Sequence, residues 1–144
     1  MSILQIIIIS FMAAFLTQAI KLAADGIKGN FTWEHLLSDY GGMPSSHAAL
    51  VAALSTAVGL NAGWNSPSFA ICIILAFIII RDAIGFRHYL GNYGKVLNLL
   101  NKKISSDSKE QIPKVSERIG HTPLETFVGI IIGILIALIA YWIL

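Results

Sequence analysis

Two stretches of this chain, residues 2–20 (SILQIIIISFMAAFLTQAI) and 126–144 (TFVGIIIGILIALIAYWIL), contain no charged residue. Each has the length that crosses a hydrocarbon core, and a segment of that kind has few folds open to it besides a helix whose backbone groups satisfy one another. From residue 41 to 79 there is again no Asp, Glu, Lys or Arg, but the turn cluster NAGWNSP at 61–67 divides this run. Gly, Asn, Ser and Pro in such a cluster punctuate a helical pattern, so the run reads as a hairpin of two spans, about 45–61 and 67–82. Only 12% of the chain is charged and 56% is hydrophobic, with a mean hydropathy of +0.73, which excludes an ordinary soluble domain. The expected fold is an all-α integral membrane protein: about four transmembrane helices in a compact bundle, forming one membrane-embedded domain over residues 1–144, with an amphipathic interfacial segment. The N-terminal stretch lacks the basic region and cleavage site of a signal peptide and reads as a retained span. The lone Cys72 implies no disulfide.

Charge orients the bundle. Eight of the ten Lys and Arg residues fall between the third and fourth spans (Arg81, Arg87, Lys95, Lys102, Lys103, Lys109, Lys114 and Arg118), and the positive-inside rule puts that loop in the cytoplasm. The segment 25–44 then shares its side, and the turn 61–67 and both termini lie opposite. This topology gathers Lys21, Pro44-Ser45-Ser46-His47, Arg81, Asp82, Arg87, His88, His121 and Glu125 at one membrane face, where ionisable residues are functional candidates. The segment 83–104 is expected to lie along that face, offering Phe86, Leu90, Val96, Leu97 and Leu100 to the membrane or the bundle.

The start of the second span can hold an anion. A helix N-terminus presents backbone N–H groups without helical acceptors and the positive end of the dipole. Pro44 fits a first helical turn, Ser45 and Ser46 add hydroxyls, and Gly41-Gly42 lets the backbone approach closely. The alternative for the serines is a simple helix cap. A second helix start, GHTPLE at 120–125, sets a histidine and a glutamate four apart. Histidine is a nucleophile toward phosphorus, and a carboxylate on its other nitrogen fixes the tautomer and stabilises the imidazolium. A second histidine can protonate the leaving oxygen. Thr122-Pro123-Leu124-Glu125 is also a capping box with proline at the first helical position, so Glu125 has a structural role open to it. Asp82 can orient Arg87 or pair with Arg81. His35 and His88 read as interfacial polar residues, Trp33, Trp64 and Trp142 as membrane-interface anchors, and Gly129 and Gly133 as a small-residue pattern for close helix approach within the bundle or between subunits. Hydroxyls and cations around the histidines suit an anion better than a metal ion, so no cofactor is expected.

Together, GGMPSSHAALVAALSTAVGL, RDAIGFRHYLGNYGKVLN and GHTPLETFVGIIIG resemble the divergent branch of the type 2 phosphatidic acid phosphatase and vanadium haloperoxidase-related membrane proteins, from about Lys21 to the C-terminus. PSSH and HTPLE stand where that family has Pro-Ser-Gly-His and His-x-x-x-Asp. The resemblance implies that His121 is the nucleophile forming a phosphohistidine, that Glu125 replaces the orienting aspartate, and that His47 is the general acid. Ser45 and the backbone of Ser46 would hold phosphate oxygens. Lys21 corresponds to the first-motif lysine, Lys28 lies where that motif has arginine, and Gly29 replaces its proline. The family arginine six residues before the nucleophile is here Val115, leaving Arg87, or secondarily Arg118, to supply the missing cation. The implied activity is a metal-independent lipid phosphate or diphosphate phosphatase, with lipid phosphate substrate and membrane lipids as partners, no nucleic acid, and a homo-oligomer open. Other classes remain: a noncatalytic lipid-phosphate binder or translocator, or a small structural membrane protein. In a Cys72→Ala background, Ser106→Cys should react with impermeant thiol reagents only after the cytoplasmic side is opened; labelling in intact cells would reverse the orientation.

Overall fold

The computed structural model describes residues 1–24, 42–104, 113–117 and 119–144. Among them are five helices and no strand: α1 (Ile3–Ala24), α2 (Ser46–Ala62), α3 (Pro67–Ile84), α4 (Phe86–Ile104) and α5 (Pro123–Ile143). Three segments, beginning at Ile3, Pro67 and Pro123, are long and apolar enough to cross a membrane. The fourth helix of the bundle, α2, has 17 residues, about 26 Å at 1.5 Å per residue. It is the central helix and packs against α1, α3 and α5.

The centre of the bundle is built from small side chains. Ala48, Ala49, Ala52, Ala53 and Ala57 of α2 are buried with Ala13 of α1 and Ala137 of α5, joined by Ile6 and Ile9. Large residues such as Phe11, Phe15, Ile74, Phe77, Phe127 and Ile139 are exposed on the outer helices, as expected where the surrounding solvent is as apolar as the side chains and association rests on close packing. Gly129 and Gly133 carry this furthest. A Cβ at Gly129 would collide with the Ser45 backbone, and one at Gly133 with that of Ala49. The small-residue pattern therefore serves contact within the bundle. Three buried hydroxyls are satisfied locally: Ser10, Thr17 and Ser55 donate to the carbonyls of Ile6, Ala13 and Val51, at 2.8, 2.7 and 2.8 Å, whereas buried Thr126 Oγ1 has no hydrogen-bond partner among the described residues.

At one end, the α2–α3 turn is closed by Gly63 (φ +92°), by Ser66 capping α3, and by Trp64, whose ring lies against Gly59 and meets Phe69 edge-on at 5.1 Å. The Met1 amine donates to Asn61 Oδ1 there. The opposite end holds the last turn of α1, the starts of α2 and α5, and the last turn of α3. Two boundaries differ from expectation. Pro44 lies ahead of the helix: Ser45 is the N-cap, accepting from Ala48 N–H through its side chain, while its own N–H donates to the Glu125 carbonyl at 3.1 Å. Arg81 and Asp82 remain within α3, and the amphipathic helix starts after Gly85 at Phe86 instead of at 83. Along α4, Phe86, Leu90, Tyr93, Leu97, Leu100 and Ile104 form an exposed stripe at intervals of three and four, the pattern of a helix lying in the membrane interface. Gly133→Val should push α2 and α5 apart and cost about 1–3 kcal/mol, lowering the unfolding midpoint in detergent, whereas Ile139→Val on the outer face should leave it unchanged.

Candidate functional site

The site is assembled where α2 and α5 begin side by side. His121 precedes α5 and is 3% exposed. Its backbone N–H donates to the Ala83 carbonyl of α3 at 3.0 Å, and its Nδ1 faces two acceptors, the Gly42 carbonyl at 3.1 Å and Glu125 Oε2 at 3.3 Å. Two acceptors around one ring nitrogen assign the proton to Nδ1, which leaves Nε2 with its lone pair. Burial pushes the imidazole pKa below its ordinary value; the Glu125 hydrogen bond and charge oppose that shift, and the Lys21 charge assists it. A neutral ring with a bare Nε2 is the form that attacks an electrophile.

Glu125 fills both roles its position allows. Its Oε2 accepts from Thr122 N–H at 3.0 Å while Thr122 Oγ1 accepts from Glu125 N–H at 3.3 Å, a complete capping box with Pro123 at the first helical position. The same oxygen faces His121. Pro123 has no N–H for a helical bond, which holds His121 ahead of the helix, within reach of the carboxylate.

His47, in the first turn of α2, lines a cavity of about 270 Å³ with Ile78, Ile79, Asp82, Ala83 and Arg87. Lys21, Asp82, Arg87 and His121 all act on it electrostatically. The Arg87 Nε–Asp82 Oδ2 distance is 2.6 Å, so Asp82 pairs with Arg87, not with Arg81. Both side chains are more than a third exposed, and such a pair adds little stability; its effect is to aim the guanidinium. Lys21 is 4% exposed at the end of α1, a buried cation at the negative end of a helix dipole. Ser45 is fully buried and committed as an acceptor to the Ala48 N–H, while Ser46 opens the first turn of α2, where backbone N–H groups lack helical acceptors. Lys21, Ser45, Ser46, His47, Arg87, His121 and Glu125 thus meet at one end of the bundle. Lys28 and Arg118 lie outside the described residues, as do His35 and Trp33.

Two further cavities adjoin the site. One, about 820 Å³, occupies the elbow between α3 and α4 and is lined mainly by Phe77, Ile80, Ile84, Phe86 and Tyr89; it shares Ile78 and Asp82 with the His47 cavity. The other, about 220 Å³ and polar, lies on the Glu125 side with His88, Asn92, Lys95 and Glu117. Among the described residues no His, Cys, Asp and Glu cluster suits a metal ion. The role of GNYGKVLN in α4 was not anticipated. Gly91, Gly94 and Asn98 recur at intervals of three and four, and they hold the segment that leads to His121.

A profile of the divergent PAP2 family matches residues 4–136. Over 141 residues the chain is 37% identical to the uncharacterized membrane protein YuiD of Bacillus subtilis (strain 168), covering 90% of this chain and 89% of that protein. No solved structure matches the chain.

The lowered pKa of His121 makes stability depend on pH. An unfolded histidine takes up a proton near pH 6.5, whereas the buried ring resists it until lower pH. Stability is therefore full above about pH 6.5 and is lost as pH falls through the lower folded-state pKa. The unfolding midpoint in detergent should fall across that window more steeply for the parent protein than for His121→Gln.

Proposed function

The chain belongs to the divergent PAP2 family, and from that premise and the geometry of the site we propose that it is a metal-independent phosphatase acting on a lipid phosphate or diphosphate through a phosphohistidine. The observation that carries this reading is the double acceptor at His121 Nδ1, which leaves Nε2 as a nucleophile held in place from behind. Nε2 attacks phosphorus, the bond from phosphorus to the ester or anhydride oxygen breaks, and His47, protonated, gives its proton to the departing oxygen. Water then attacks the phosphohistidine, His47 takes up the proton that water loses, and the P–N bond breaks to release phosphate. Glu125 stabilises the imidazolium that exists between the two steps.

The transferring phosphoryl group carries charge on its equatorial oxygens and needs fixed cations and N–H donors. Arg87, aimed by Asp82, supplies the charge that family members carry six residues before the nucleophile. Lys21 and the N–H groups at the start of α2 complete the cradle. Ser45 accepts from Ala48 at the helix start and keeps its O–H to donate to a phosphate oxygen. The apolar elbow between α3 and α4 suits a hydrocarbon tail, and Ile78 and Asp82, which line both it and the His47 cavity, put the two close enough for a substrate with its tail in one and its head at the other. The concentration of Lys and Arg in 81–118 favours a site on the cytoplasmic side of a bacterial cytoplasmic membrane.

Purified protein in EDTA should release phosphate from lipid phosphates, and His121→Ala should abolish the release. Acid-labile, base-stable phosphate should accumulate on the parent protein during turnover. Glu125→Gln preserves the capping box and should stay within about 1 kcal/mol of the parent in stability, yet lose most turnover because an amide cannot stabilise an imidazolium by charge. Head-group binding with no release from any substrate would instead support a noncatalytic lipid-phosphate binder.

A further inference from the structure

Residues 115–117 and 119–121 are pinned at successive points. Asn98, near the end of α4, presents its carboxamide edge to Val115: Nδ2 donates to the Val115 carbonyl at 2.8 Å, and Oδ1 accepts from the Val115 N–H at 3.0 Å. Nδ2 also donates to Glu117 Oε1 at 2.7 Å. One side chain thereby reproduces the two-way pairing of a β-ladder with a single residue. Gly94 and Gly91 lie one and two turns earlier on the same face. A Cβ at Gly94 would strike the Ser116 carbonyl oxygen, and one at Gly91 the carbonyl oxygens of Glu117 and Ile119. The helix is bare there because the backbone of Ser116, Glu117 and Ile119 fills the space. Gly120 then turns with φ +92° against the backbone of Arg87 and His88, a conformation that favours glycine, and the His121 N–H reaches Ala83.

We propose that Asn98 is a positioning residue for His121, clamping the backbone that delivers the imidazole to Gly42 and Glu125; this rests on the reading of His121 as nucleophile. Asn98 touches neither the ring nor the groups around it. It acts through six residues of chain, and the other contacts with α4 at Gly91 and Gly94 are with backbone atoms of the described residues Ser116, Glu117 and Ile119. The clamp lies outside the interior of the bundle: among the described residues, the buried core of α1, α2 and α5 contains none from α4, 113–117 or 119–120. Removing the clamp therefore loosens the approach to His121 while the spans stay packed. A misplacement of about 1 Å in a reacting group costs roughly 10²-fold in rate, so a substitution here reads out in turnover before it reads out in stability.

The test uses full-length protein in detergent micelles, with Asn98→Ala, Asn98→Asp, and Asn98→Asp combined with Glu117→Gln. Asn98→Asp keeps the acceptor for Val115 N–H but sets two carboxylates against each other. Adding Glu117→Gln supplies an amide that donates to the new carboxylate. Expected results are a fall in kcat of about 10–100-fold for the two single variants at nearly unchanged KM and unfolding midpoint, and partial recovery in the double variant.

Histidine ring titration by NMR, with the His121 signal assigned by its loss in His121→Gln, gives a readout independent of turnover. Asn98→Ala should move the His121 pKa upward toward the ordinary value, because a ring released from burial regains water. Of the charged groups that act on the ring, Glu125 raises its pKa and Lys21 lowers it, but burial is the largest cause and its loss sets the direction. An unchanged His121 titration in Asn98→Ala overturns the proposal. If that titration shifts although the parent releases no phosphate from any lipid, the positioning role stands and the catalytic reading of His121 fails.

Discussion

Helices α2 and α5 meet backbone to backbone, and the site depends on that contact. Gly129 and Gly133 leave no side chain between α5 and the Ser45 and Ala49 backbone, and the Ser45 N–H closes the contact on the Glu125 carbonyl. Two helix starts are thereby held side by side at one level. His47 lies in the first turn of one and His121 just ahead of the other, near enough for His121 to act on His47 electrostatically. With lipid outside, no hydrophobic force drives helices together, and only such close packing fixes their spacing.

Much of this was legible in the chain. Runs without charge marked the spans, NAGWNSP marked the hairpin, and Thr122-Pro123-Leu124-Glu125 marked the cap, since each is a local signal with a local cause. The grouping of His47, His121, Lys21 and Arg87 followed from counting crossings. What was not legible depended on partners remote in sequence. Pro44 looked like a first-turn proline, but a hydrogen bond from Ser45 to Glu125, 80 residues away, starts the helix after it. Asp82 had two arginines within five residues, and the break at Gly85 decided for Arg87. The spacing of Gly91, Gly94 and Asn98 was visible as one face of a helix; its meaning lay in a segment with no periodicity of its own.

Glu125 shows why a capping reading and a chemical reading need not compete. A carboxylate has lone pairs enough for both the Thr122 N–H and His121 Nδ1, and one oxygen serves the two. The cap fixes the carboxylate without using up its charge. The charge then acts on a ring whose burial would otherwise leave its protonated form unsupported. Structural economy of this sort suits a chain of 144 residues, where few polar groups stand inside the apolar bundle.

The elbow between α3 and α4 is walled mainly by apolar side chains, with Phe77, Phe86 and Tyr89 among them exposed, so it suits a substrate that arrives from within the bilayer. A substrate reaching the proposed site by that route is counted per unit area of bilayer. Its effective concentration is a mole fraction among lipids, so added detergent or inert lipid dilutes it even when the amount per millilitre is constant. Turnover in such a protein obeys a two-dimensional mass action, and the composition of the surrounding leaflet becomes a kinetic variable in its own right.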